Sequence, residues 1–293
     1  MSSTVEKTSP CKVNLILNIL GRRSDGYHEL ETIMQPVPLH DTLRYEKAGS
    51  SGVHLTCSDP TLPVDSSNLV YKAANRFLKA SGRLDGIKIH LEKRLPMAAG
   101  LGGGSGNAGT TLLALNELFG HPLNVHQLQA VAAGIGSDVP FFLQDRPALA
   151  TGRGEVVAAL PRFPALQGAW LLLVHPGFGI STPWAYQQLA QHPEALNGRP
   201  GRARHLANLL QGPDLSAAAG QFYNSLEAPA LLKFPLLALF QQFFREHGAA
   251  GTLMSGSGST TFALASDRLA AERLLEKFLE HFGQGFWTAI VAL

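Results

Sequence analysis

The sequence predicts a mixed α and β fold in two parts, and three observations support this. Segments with strand periodicity alternate with segments of helical spacing, without an internal repeat or a low-complexity tract. The 293 residues exceed the usual length of one domain and allow a sizeable core. Two prolines lie within residues 155–168, directly before a new apolar strand. We therefore expect one domain over residues 1–158 and a second over residues 159–293.

The first part opens on a strand that carries polar side chains. Residues 12–20, KVNLILNIL, fit a strand in which alternate residues face the same side. One face is apolar and the other is polar, with the members Val13, Leu15, Leu17 and Ile19 on the first and Lys12, Asn14 and Asn18 on the second. Polar groups in so apolar a strand are either solvated or directed at a ligand, and the pattern leaves both interpretations open.

Apolar spacing and helix signals predict the rest of the first part. The elements are strands at 40–47 and 86–93, a helix between them that ends at Gly82, and a helix near 124–133. Between the last two lies the glycine-rich segment PMAAGLGGGSGNAG (96–109). It opens a helix of about twelve residues, which Gly120 and Pro122 end.

The second part alternates in the same way. After the strand AWLLLVHP comes a helix at STPWAYQQL, with Thr182 as its cap and Pro183 at its first position. The following stretch NGRPGRARH is interpreted as a solvated loop, decorated by Arg199, Arg202 and Arg204. Two more helices precede GTLMSGSGSTTFAL, which has the pattern of a strand, a glycine loop and a strand.

Composition excludes several classes of protein. The 24 Lys and Arg nearly balance the 22 Asp and Glu, so no field of one sign points to nucleic acid or to a membrane surface. Two cysteines, Cys11 and Cys57, are too few for a disulfide scaffold, and the histidines lack the spacing of metal ligands, so we expect no structural metal. No secretion signal and no membrane-spanning run is recognisable, and we expect a cytoplasmic protein.

The glycine-rich segment does not match the common nucleotide motifs. Gly104, Gly106 and Gly109 spell G-x-G-x-x-G, but no strand ends directly before them and no acidic residue lies between Glu117 and Asp138, where a dinucleotide fold needs one. A Walker A loop requires a Gly-Lys pair, which the chain lacks, and the HRD and DFG triplets of protein kinases are also missing.

The physical properties of the segment nevertheless indicate a phosphate site. Glycines let the main chain approach a ligand closely, and a helix N-terminus offers unpaired N–H groups and a positive dipole end. The Ser105 hydroxyl adds a group that can bond a phosphate oxygen or Mg²⁺. The alternative is a loop whose glycines serve close packing of the helix on the sheet.

At this point three motifs in the same order resemble the GHMP kinases, a superfamily of small-molecule kinases. PMAAGLGGGSGNAG is similar to their phosphate loop, and SPCKVNLILNI and MSGSGSTTFAL are similar to their first and last signatures. The resemblance implies an α+β, two-domain GHMP kinase fold, with the N-terminal domain binding nucleotide and the active site in the cleft between the domains. This chain departs from the usual pattern at Ser9, Cys11, Gly106 and Gly109.

Within that superfamily, GRRSDGYHELETIMQPVPLHDTL is similar to the branch that phosphorylates a cytidine-diphosphate-linked methylerythritol in non-mevalonate isoprenoid synthesis. The resemblance implies ATP-dependent phosphorylation of the 2-hydroxyl, with Asp138 as general base and Lys12 as its partner. Asn14, on the strand face of Lys12, is expected beside the acceptor. Taken alone, Asp138 has the position of a helix cap before Pro140.

The acceptor is expected to be read by aromatic rings and a histidine. The resemblance implies that Tyr27 and Tyr186 sandwich the cytosine and that His28 reads its edge, while Thr182 and Pro183 lie at a helix N-terminus that contacts the substrate. Without the resemblance, Tyr27 and His28 form an ordinary turn after Gly26. Arg22 and Arg23 are candidates for meeting a diphosphate.

ATP is expected to arrive with Mg²⁺, held largely by the phosphates. The implied ATP contacts in the loop are Pro96, Gly100, Leu101, Gly102, Gly103, Gly104, Ser105, Gly106 and Asn107, and those around adenine are Asn68, Leu69 and Lys93. A loop of Ser255, Gly256, Ser257 and Gly258 is expected to close over the phosphates. Plainer interpretations are a helix cap for Asn68, a strand-end charge for Lys93 and a tight hairpin for the closing loop.

Two other functions compete with this prediction. A sister kinase would act on homoserine, mevalonate or a sugar, and the SDGYHE segment argues against it. A non-catalytic sensor would bind ligand without turnover, and the presence of both Lys12 and Asp138 argues against that. The expected partners are therefore ATP and a small cytidylyl substrate, with no nucleic acid and no membrane, in a monomer or weak homodimer.

Overall fold

The structure is a computed structural model, and it describes residues 4–293. The chain forms two compact units. The first unit contains the described residues up to Cys11, Leu39–Leu95 and Gly102–Asp145, and the second contains Lys12–Pro38, Pro96–Leu101 and Arg146–Leu293. The second unit thus includes three stretches from the expected first domain. A division of the chain at residue 158 stays a prediction.

Two long strands contribute to both units: β1 (Thr4–Arg22) and β2 (His28–Ala48). The other elements of the first unit are β3 (Gly52–Cys57), α1 (Leu69–Ala80), β4 (Gly86–Glu92), α2 (Gly103–Leu118), α3 (Val125–Ile135) and a 3-10 turn at Val139–Leu143. Within it, β4 pairs antiparallel with the later part of β2 and parallel with β3.

The helices of the first unit cover the apolar side of this sheet. Helix α1 begins after Asn68, whose side chain accepts from the N–H of Val70, and it buries an apolar face that includes Phe77. Full burial of a phenylalanine contributes about 1.5–3 kcal/mol relative to exposure. The buried Tyr45 ring ends at a hydroxyl that hydrogen-bonds the Thr111 hydroxyl at 3.0 Å, so the polar tip is satisfied.

The second unit contains a sheet and most of the helices. Its elements are β5 (Ala148–Gly152), β6 (Val156–Ala159), β7 (Trp170–His175), α4 (Thr182–Gln188), α5 (Pro193–Leu196), α6 (Arg202–Leu210), α7 (Leu215–Ala219), β8 (Tyr223–Asn224), α8 (Glu227–Lys233), α9 (Pro235–Glu246), β9 (Gly251–Met254), β10 (Thr261–Ala265), α10 (Arg268–Phe282) and β11 (Trp287–Ala292). Short 3-10 turns lie at Pro164–Leu166 and Leu189–Gln191.

Its main sheet has the antiparallel order β11-β7-β10-β9. Helices α9 and α10 pack on it through aromatic rings, with Phe240 and Phe278 edge to face at 5.0 Å between centroids. Strand β8 pairs in parallel with β1, placing Leu17 opposite Asn224. Strand β5 pairs with the early part of β2 and continues into β6 as a hairpin.

Several sequence expectations are confirmed and several are wrong. The strand, glycine loop and strand near residues 251–265 are confirmed as β9 and β10. The strand at 12–20 is part of the longer β1, and both of its faces are buried from Cys11 to Ile19. Its polar side chains are therefore not solvated, because the surrounding elements cover both sides of the strand.

The helices of the second unit differ most from expectation. Ser181, not Thr182, caps α4 by accepting from the N–H of Trp184, so Pro183 is the second helical residue. The arginine stretch is not wholly a loop, because Arg202 begins α6 and its guanidinium lies 3.7 Å from the centroid of the Tyr223 ring. Five helices, α5 to α9, occupy the region where two were expected. Helix α2 has 16 residues rather than about twelve, because it begins inside the glycine run.

Candidate active site

The first glycine loop passes directly into α2. Gly102 stands at the N-cap position with φ +69°, makes no side-chain capping bond, and is followed by a first turn without acidic residues. The first N–H groups of a helix have no acceptor within the helix, and its dipole places positive charge at the same end. This end of α2, which includes the half-buried Ser105, is therefore suited to an anion.

The glycines of this loop serve two different purposes. A Cβ on Gly106 would lie 2.5 Å from the Pro10 carbonyl oxygen, and a Cβ on Gly109 would lie 2.7 Å from the Cβ of Phe142. These two glycines therefore allow close packing, which was the alternative interpretation of the segment. A Cβ on Gly104 would meet only a Leu69 methyl at 3.5 Å, so the backbone there is accessible.

A buried carboxylate organises the polar residues around the loop. Asp41, which is fully buried, accepts from the Lys93 ammonium at 2.6 Å and from the Asn107 amide at 3.0 Å. It also accepts from the two backbone N–H groups that follow Lys93, at 2.7 and 2.9 Å. The Asn107 amide donates in addition to the Ser9 hydroxyl at 2.9 Å. Four donors compensate the desolvation of this charge.

Two predicted adenine contacts have clear local roles. Asn68 is the N-cap of α1 and also donates to the Pro63 carbonyl at 2.7 Å, as its plainer interpretation states. The Lys93 ammonium is more than a strand-end charge, because it is buried against Asp41 and would lie 3.4 Å from a Cβ on Gly103. Lys93 is therefore next to the N-terminus of α2.

Asp138 lies in the first unit, half-buried, at the N-cap position of the 3-10 turn. Its side chain makes no capping hydrogen bond to that turn. The position agrees with the plain interpretation of Asp138 as a cap, but the bond that defines a cap is not formed.

Lys12 and Asn14 are buried on β1 in the second unit. The Lys12 ammonium donates to the Gly100 carbonyl oxygen at 3.1 Å and to the side-chain oxygen of Asn14. The Asn14 amide in turn donates to the Thr32 hydroxyl at 2.8 Å. The backbone N–H of Lys12 donates to the Leu101 carbonyl at 2.9 Å. Lys12 and Asn14 therefore have defined partners and fixed orientations.

The second glycine loop runs through Ser255–Gly258 beside the same groups. The Ser255 hydroxyl donates to the Gly100 carbonyl at 2.9 Å, and a Cβ on Gly100 would overlap the Ser255 carbonyl oxygen. A Cβ on Gly256 would lie 3.2 Å from the Lys12 ammonium. The Ser257 hydroxyl hydrogen-bonds the Thr182 hydroxyl at 2.8 Å. Of the other predicted residues in this unit, Pro96 is half-buried and Pro183 is exposed.

The predicted acceptor residues form two contacts. The rings of His28 and Tyr186 are 5.1 Å apart between centroids. Tyr27, 55% exposed, follows a turn in which Asp25 accepts its N–H at 3.1 Å, so the turn interpretation is also correct as local structure. The guanidinium of Arg153 lies 4.6 Å from the centroid of the Tyr27 ring.

Burial, with the charge of nearby Arg22, lowers the pKa of His28 below its ordinary value. The imidazole is therefore neutral at pH 7 and carries one donor and one acceptor nitrogen. Arg23 lies beside acids rather than free for a diphosphate, at 2.7 Å from Glu29 and 3.2 Å from Asp25.

Sequence reasoning missed Ser9, Thr32, Asp41 and Arg153. Ser9, Thr32 and Asp41 lie within the motif segments but are not among the residues to which the family resemblance assigns a role, and Arg153 lies in no motif. Throughout residues 4–293, no three His, Cys, Asp or Glu side chains form a cluster suited to a metal ion. The same residues include no helix long and apolar enough to cross a bilayer.

Comparison with known proteins gives two family matches. A model of the GHMP kinases N terminal domain matches residues 68–146, and a model of the GHMP kinases C terminal matches residues 193–284. A 4-diphosphocytidyl-2-C-methyl-D-erythritol kinase of Geotalea daltonii is 38% identical over 274 residues, which cover 94% of this chain and 94% of that protein.

Solved structures agree with these matches. A crystal structure of 4-(cytidine 5'-diphospho)-2C-methyl-D-erythritol kinase has a TM-score of 0.75 at 37% identity and covers 99% of this chain and 100% of that one. A homoserine kinase of Cytophaga hutchinsonii has a TM-score of 0.77 at 21% identity and covers 100% of this chain and 96% of that one. At that identity the second match shows a shared fold.

Proposed function

Because this chain belongs to the 4-diphosphocytidyl-2-C-methyl-D-erythritol kinases of the GHMP superfamily, and is thus a small-molecule kinase, we propose that it phosphorylates the 2-hydroxyl of 4-diphosphocytidyl-2-C-methyl-D-erythritol with ATP. For the acceptor, the observation that carries the proposal is the contact between His28 and Tyr186. An aromatic ring beside a neutral imidazole offers both a stacking face and an edge-reading group, as a cytosine requires.

The residues of the first glycine loop fit the phosphates of ATP. The uncapped N-terminus of α2 supplies N–H groups, and the open backbone at Gly104 permits close approach. Gly106 instead allows packing, so its contribution to ATP binding is indirect. The Ser105 hydroxyl and phosphate oxygens would hold Mg²⁺, which neutralises charge on the phosphates when bound.

Asp138 is proposed as the general base and Lys12 as the charge that stabilises the acceptor oxygen. As the bond from that oxygen to the γ-phosphorus forms and the bond to the leaving ADP oxygen breaks, the hydroxyl proton passes to the Asp138 carboxylate. The buried Lys12 ammonium has a fixed position, because the Gly100 carbonyl and Asn14 both accept from it. A preorganised cation stabilises developing negative charge without reorganisation.

Acceptor recognition is proposed to rest on Tyr27, His28 and Tyr186. Stacking on an aromatic side chain contributes about 1–3 kcal/mol for each base. A neutral His28 can donate to and accept from the edge of cytosine, which discriminates against acceptors without a base. The Arg153 guanidinium, which lies over Tyr27, adds a cation–π contact to that ring.

The acceptor is tested by measuring ADP release with four alcohols. We expect turnover with 4-diphosphocytidyl-2-C-methyl-D-erythritol and none above background with mevalonate, homoserine or galactose. Turnover with one of the latter three would make the protein a sister kinase. Absence of ADP with every acceptor, although ATP binds, would make it a ligand sensor. Isoprenoid synthesis as the pathway, a cytoplasmic location and the monomer or weak homodimer stay predictions.

The base is tested by Asp138→Asn. General-base catalysis contributes about 10²–10⁴-fold, so we expect kcat to fall by about that factor. ATP affinity by calorimetry should stay within twofold, because the amide preserves the shape of the side chain. Asp214→Asn is the matched control: Asp214 caps α7, asparagine caps equally well, and its kcat should be unchanged. Near-normal turnover of Asp138→Asn would contradict the assignment.

A further inference from the structure

Two polar side chains lie directly beneath the second glycine loop, and the proposed chemistry does not use them. Asn224 is 2% exposed, and its amide nitrogen donates to the carbonyl oxygens of Met254 and Gly256, both at 2.7 Å. Its side-chain oxygen accepts from the N–H of Leu226 at 2.9 Å. Both amide protons of Asn224 are therefore committed to the loop, one on each side of Ser255.

Glu227 binds the same segment through the backbone N–H of Met254. One carboxylate oxygen of Glu227 accepts from the Met254 N–H at 2.7 Å and from the Gln241 amide at 2.6 Å. The peptide groups on both sides of the Met254 Cα are thus bound by neighbouring side chains, with Glu227 before it and Asn224 after it. A backbone fixed in this way at the end of β9 has little freedom where the loop begins.

The loop needs donors at these two points because of its backbone conformation. Gly256 has φ +56° and Gly258 has φ +87°, so the chain turns through the left-handed region. Met254 and Gly256 are buried, and their carbonyl oxygens accept from the Asn224 amide. A buried carbonyl without a donor loses the hydrogen bond that it makes to water in the unfolded chain.

The loop in turn shares an acceptor with Lys12. The Ser255 hydroxyl and the Lys12 ammonium both donate to the Gly100 carbonyl oxygen, at 2.9 and 3.1 Å. The Ser255 hydroxyl also accepts from the N–H of Asn14 at 3.3 Å. A displacement of Ser255 therefore disturbs its contacts with Gly100 and Asn14, the two residues that accept from the Lys12 ammonium.

The backbone of Asn224 is anchored on the strand that carries Lys12. Strand β8 places Asn224 opposite Leu17 of β1, and Ser225 both donates to the Leu17 carbonyl at 2.8 Å and accepts from the Ile19 N–H at 3.0 Å. Asn224 thus connects β1 with the loop. The position of the loop is therefore fixed relative to the strand that carries Lys12.

We propose that Asn224, supported by Glu227, is a positioning residue for phosphoryl transfer: it sets the conformation of the Ser255–Gly258 loop and, through Gly100, the position of the Lys12 ammonium. The inference rests on the proposed function only in assigning the loop and Lys12 to the transfer step. Because Asn224 is 2% exposed and its side chain bonds only the backbone around it, its replacement should affect the rate of the step more than the binding of either substrate.

The test is Asn224→Asp, which keeps the size of the side chain and removes both donors. Misplacement of a catalytic group by about 1 Å can cost about 100-fold, and we expect kcat to fall by about 10- to 100-fold. The KM values for ATP and for the cytidylyl acceptor should stay within about threefold, because the binding groups are untouched. All rates are corrected for the folded fraction of each variant.

Asn116→Asp is the matched control. Asn116 is also buried, donates to the Leu123 carbonyl at 3.0 Å and accepts from the Leu123 N–H at 3.0 Å, and it belongs to no part of the proposed machinery. We expect it to lower stability as Asn224→Asp does, but to change kcat by less than twofold. Equal changes of kcat in the two variants, or a change in KM alone for Asn224→Asp, would overturn the proposal.

Two further measurements keep the test decisive. If Asn224→Asp does not fold, Asn224→Ser, which leaves room for a donating water, is assayed with the same criteria. Glu227→Gln, which retains the acceptor for Met254, should keep more activity than Glu227→Ala, and the reverse order would contradict the supporting role of Glu227. Turnover of the wild-type enzyme in the same assay tests the proposed function separately, since the inference concerns only the ratio of variant to wild type.

Discussion

The two glycine-rich loops of this protein are anchored by side chains of opposite hydrogen-bonding character. The first loop, at the start of α2, is held by the Asp41 carboxylate, which accepts from Lys93, from Asn107 and from two backbone N–H groups. The second loop, Ser255–Gly258, is held by the Asn224 amide, which donates to two backbone carbonyls. The first anchor, Asp41, is a charged group that accepts hydrogen bonds, and the second, Asn224, is a neutral group that donates them to the loop.

The difference follows from the groups that each anchor meets. Asp41 meets only donors: the Lys93 ammonium, the Asn107 amide and the N–H groups of the two residues after Lys93. In a loop with left-handed glycines, carbonyls turn toward the interior and require a donor. Glycine content alone therefore does not indicate which kind of anchor a loop needs.

The largest expected effect concerns the anchor of the first loop. Asp41→Asn leaves the Lys93 ammonium buried without its counter-charge, and breaking a buried ion pair costs about 3–5 kcal/mol. We expect urea unfolding to show a loss of that size. Asp65→Asn, at an exposed turn before α1, is the control and should change stability by less than about 1 kcal/mol. A similar small loss for Asp41→Asn would mean that the charge of the first anchor is dispensable.

An intermediate effect concerns the support of the second loop and depends on pH. Burial raises the pKa of Glu227 to about 7, while hydrogen bonds from Met254 and Gln241 and the charge of Arg245 oppose the shift. Because the folded pKa lies above the unfolded value, this group favours the folded state fully below about pH 4.5. That contribution is lost as pH rises through about 7.

The measurement compares the free energy of unfolding of wild type and Glu227→Gln between pH 5 and pH 8. The difference between them should shift against wild type by at most about 3 kcal/mol, since one pKa unit corresponds to about 1.4 kcal/mol and the side chain is only partly shielded from solvent. Glutamine keeps an acceptor for Met254 but does not titrate. Parallel curves for the two proteins would show that Glu227 titrates normally, and the second anchor would then be insensitive to pH.

The smallest expected effect separates two glycines within the first loop. Gly106→Ala places a methyl group 2.5 Å from the Pro10 carbonyl, and such overpacking costs about 1–3 kcal/mol. Gly104→Ala meets only ordinary contact and should stay within about 1 kcal/mol of wild type, because alanine favours the helix. Thermal unfolding and the KM for ATP are measured together. We expect a raised KM without lost stability for Gly104→Ala, and equal behaviour of the two variants would remove the distinction between packing and ligand-facing glycines.

Helices and strands whose signals lie within a few residues of one another in the chain were predictable from the sequence. The spacing of apolar residues indicated α1, and Asn68 marked its cap, because both signals lie within a few residues of the helix. The order of the three motifs indicated the family for the same reason. The cap of α4 was wrong by one residue, since Ser181 and Thr182 are both good caps and only the observed hydrogen bond distinguishes them.

The anchors were not predictable, because their partners are distant in the chain. Asp41 and Lys93 are 52 residues apart in the chain. The Asn224 amide donates to carbonyls 30 and 32 residues away, and the Lys12 ammonium donates to a carbonyl 88 residues away. No periodicity connects such pairs. The polar face of β1 illustrates the consequence: the pattern left solvent and ligand open, and the surrounding chain supplies partners for Lys12 and Asn14.

Local signals in the sequence predict most elements of the first unit, the two glycine loops and membership in a kinase family, but not the number of helices in the second unit. These properties depend on local backbone preferences and on the order of short motifs. The packing of the folded chain establishes which glycines leave the backbone open and which allow close packing, and which carboxylate or amide fixes each loop. Those outcomes depend on which atoms the packing of distant segments brings within hydrogen-bond or van der Waals distance.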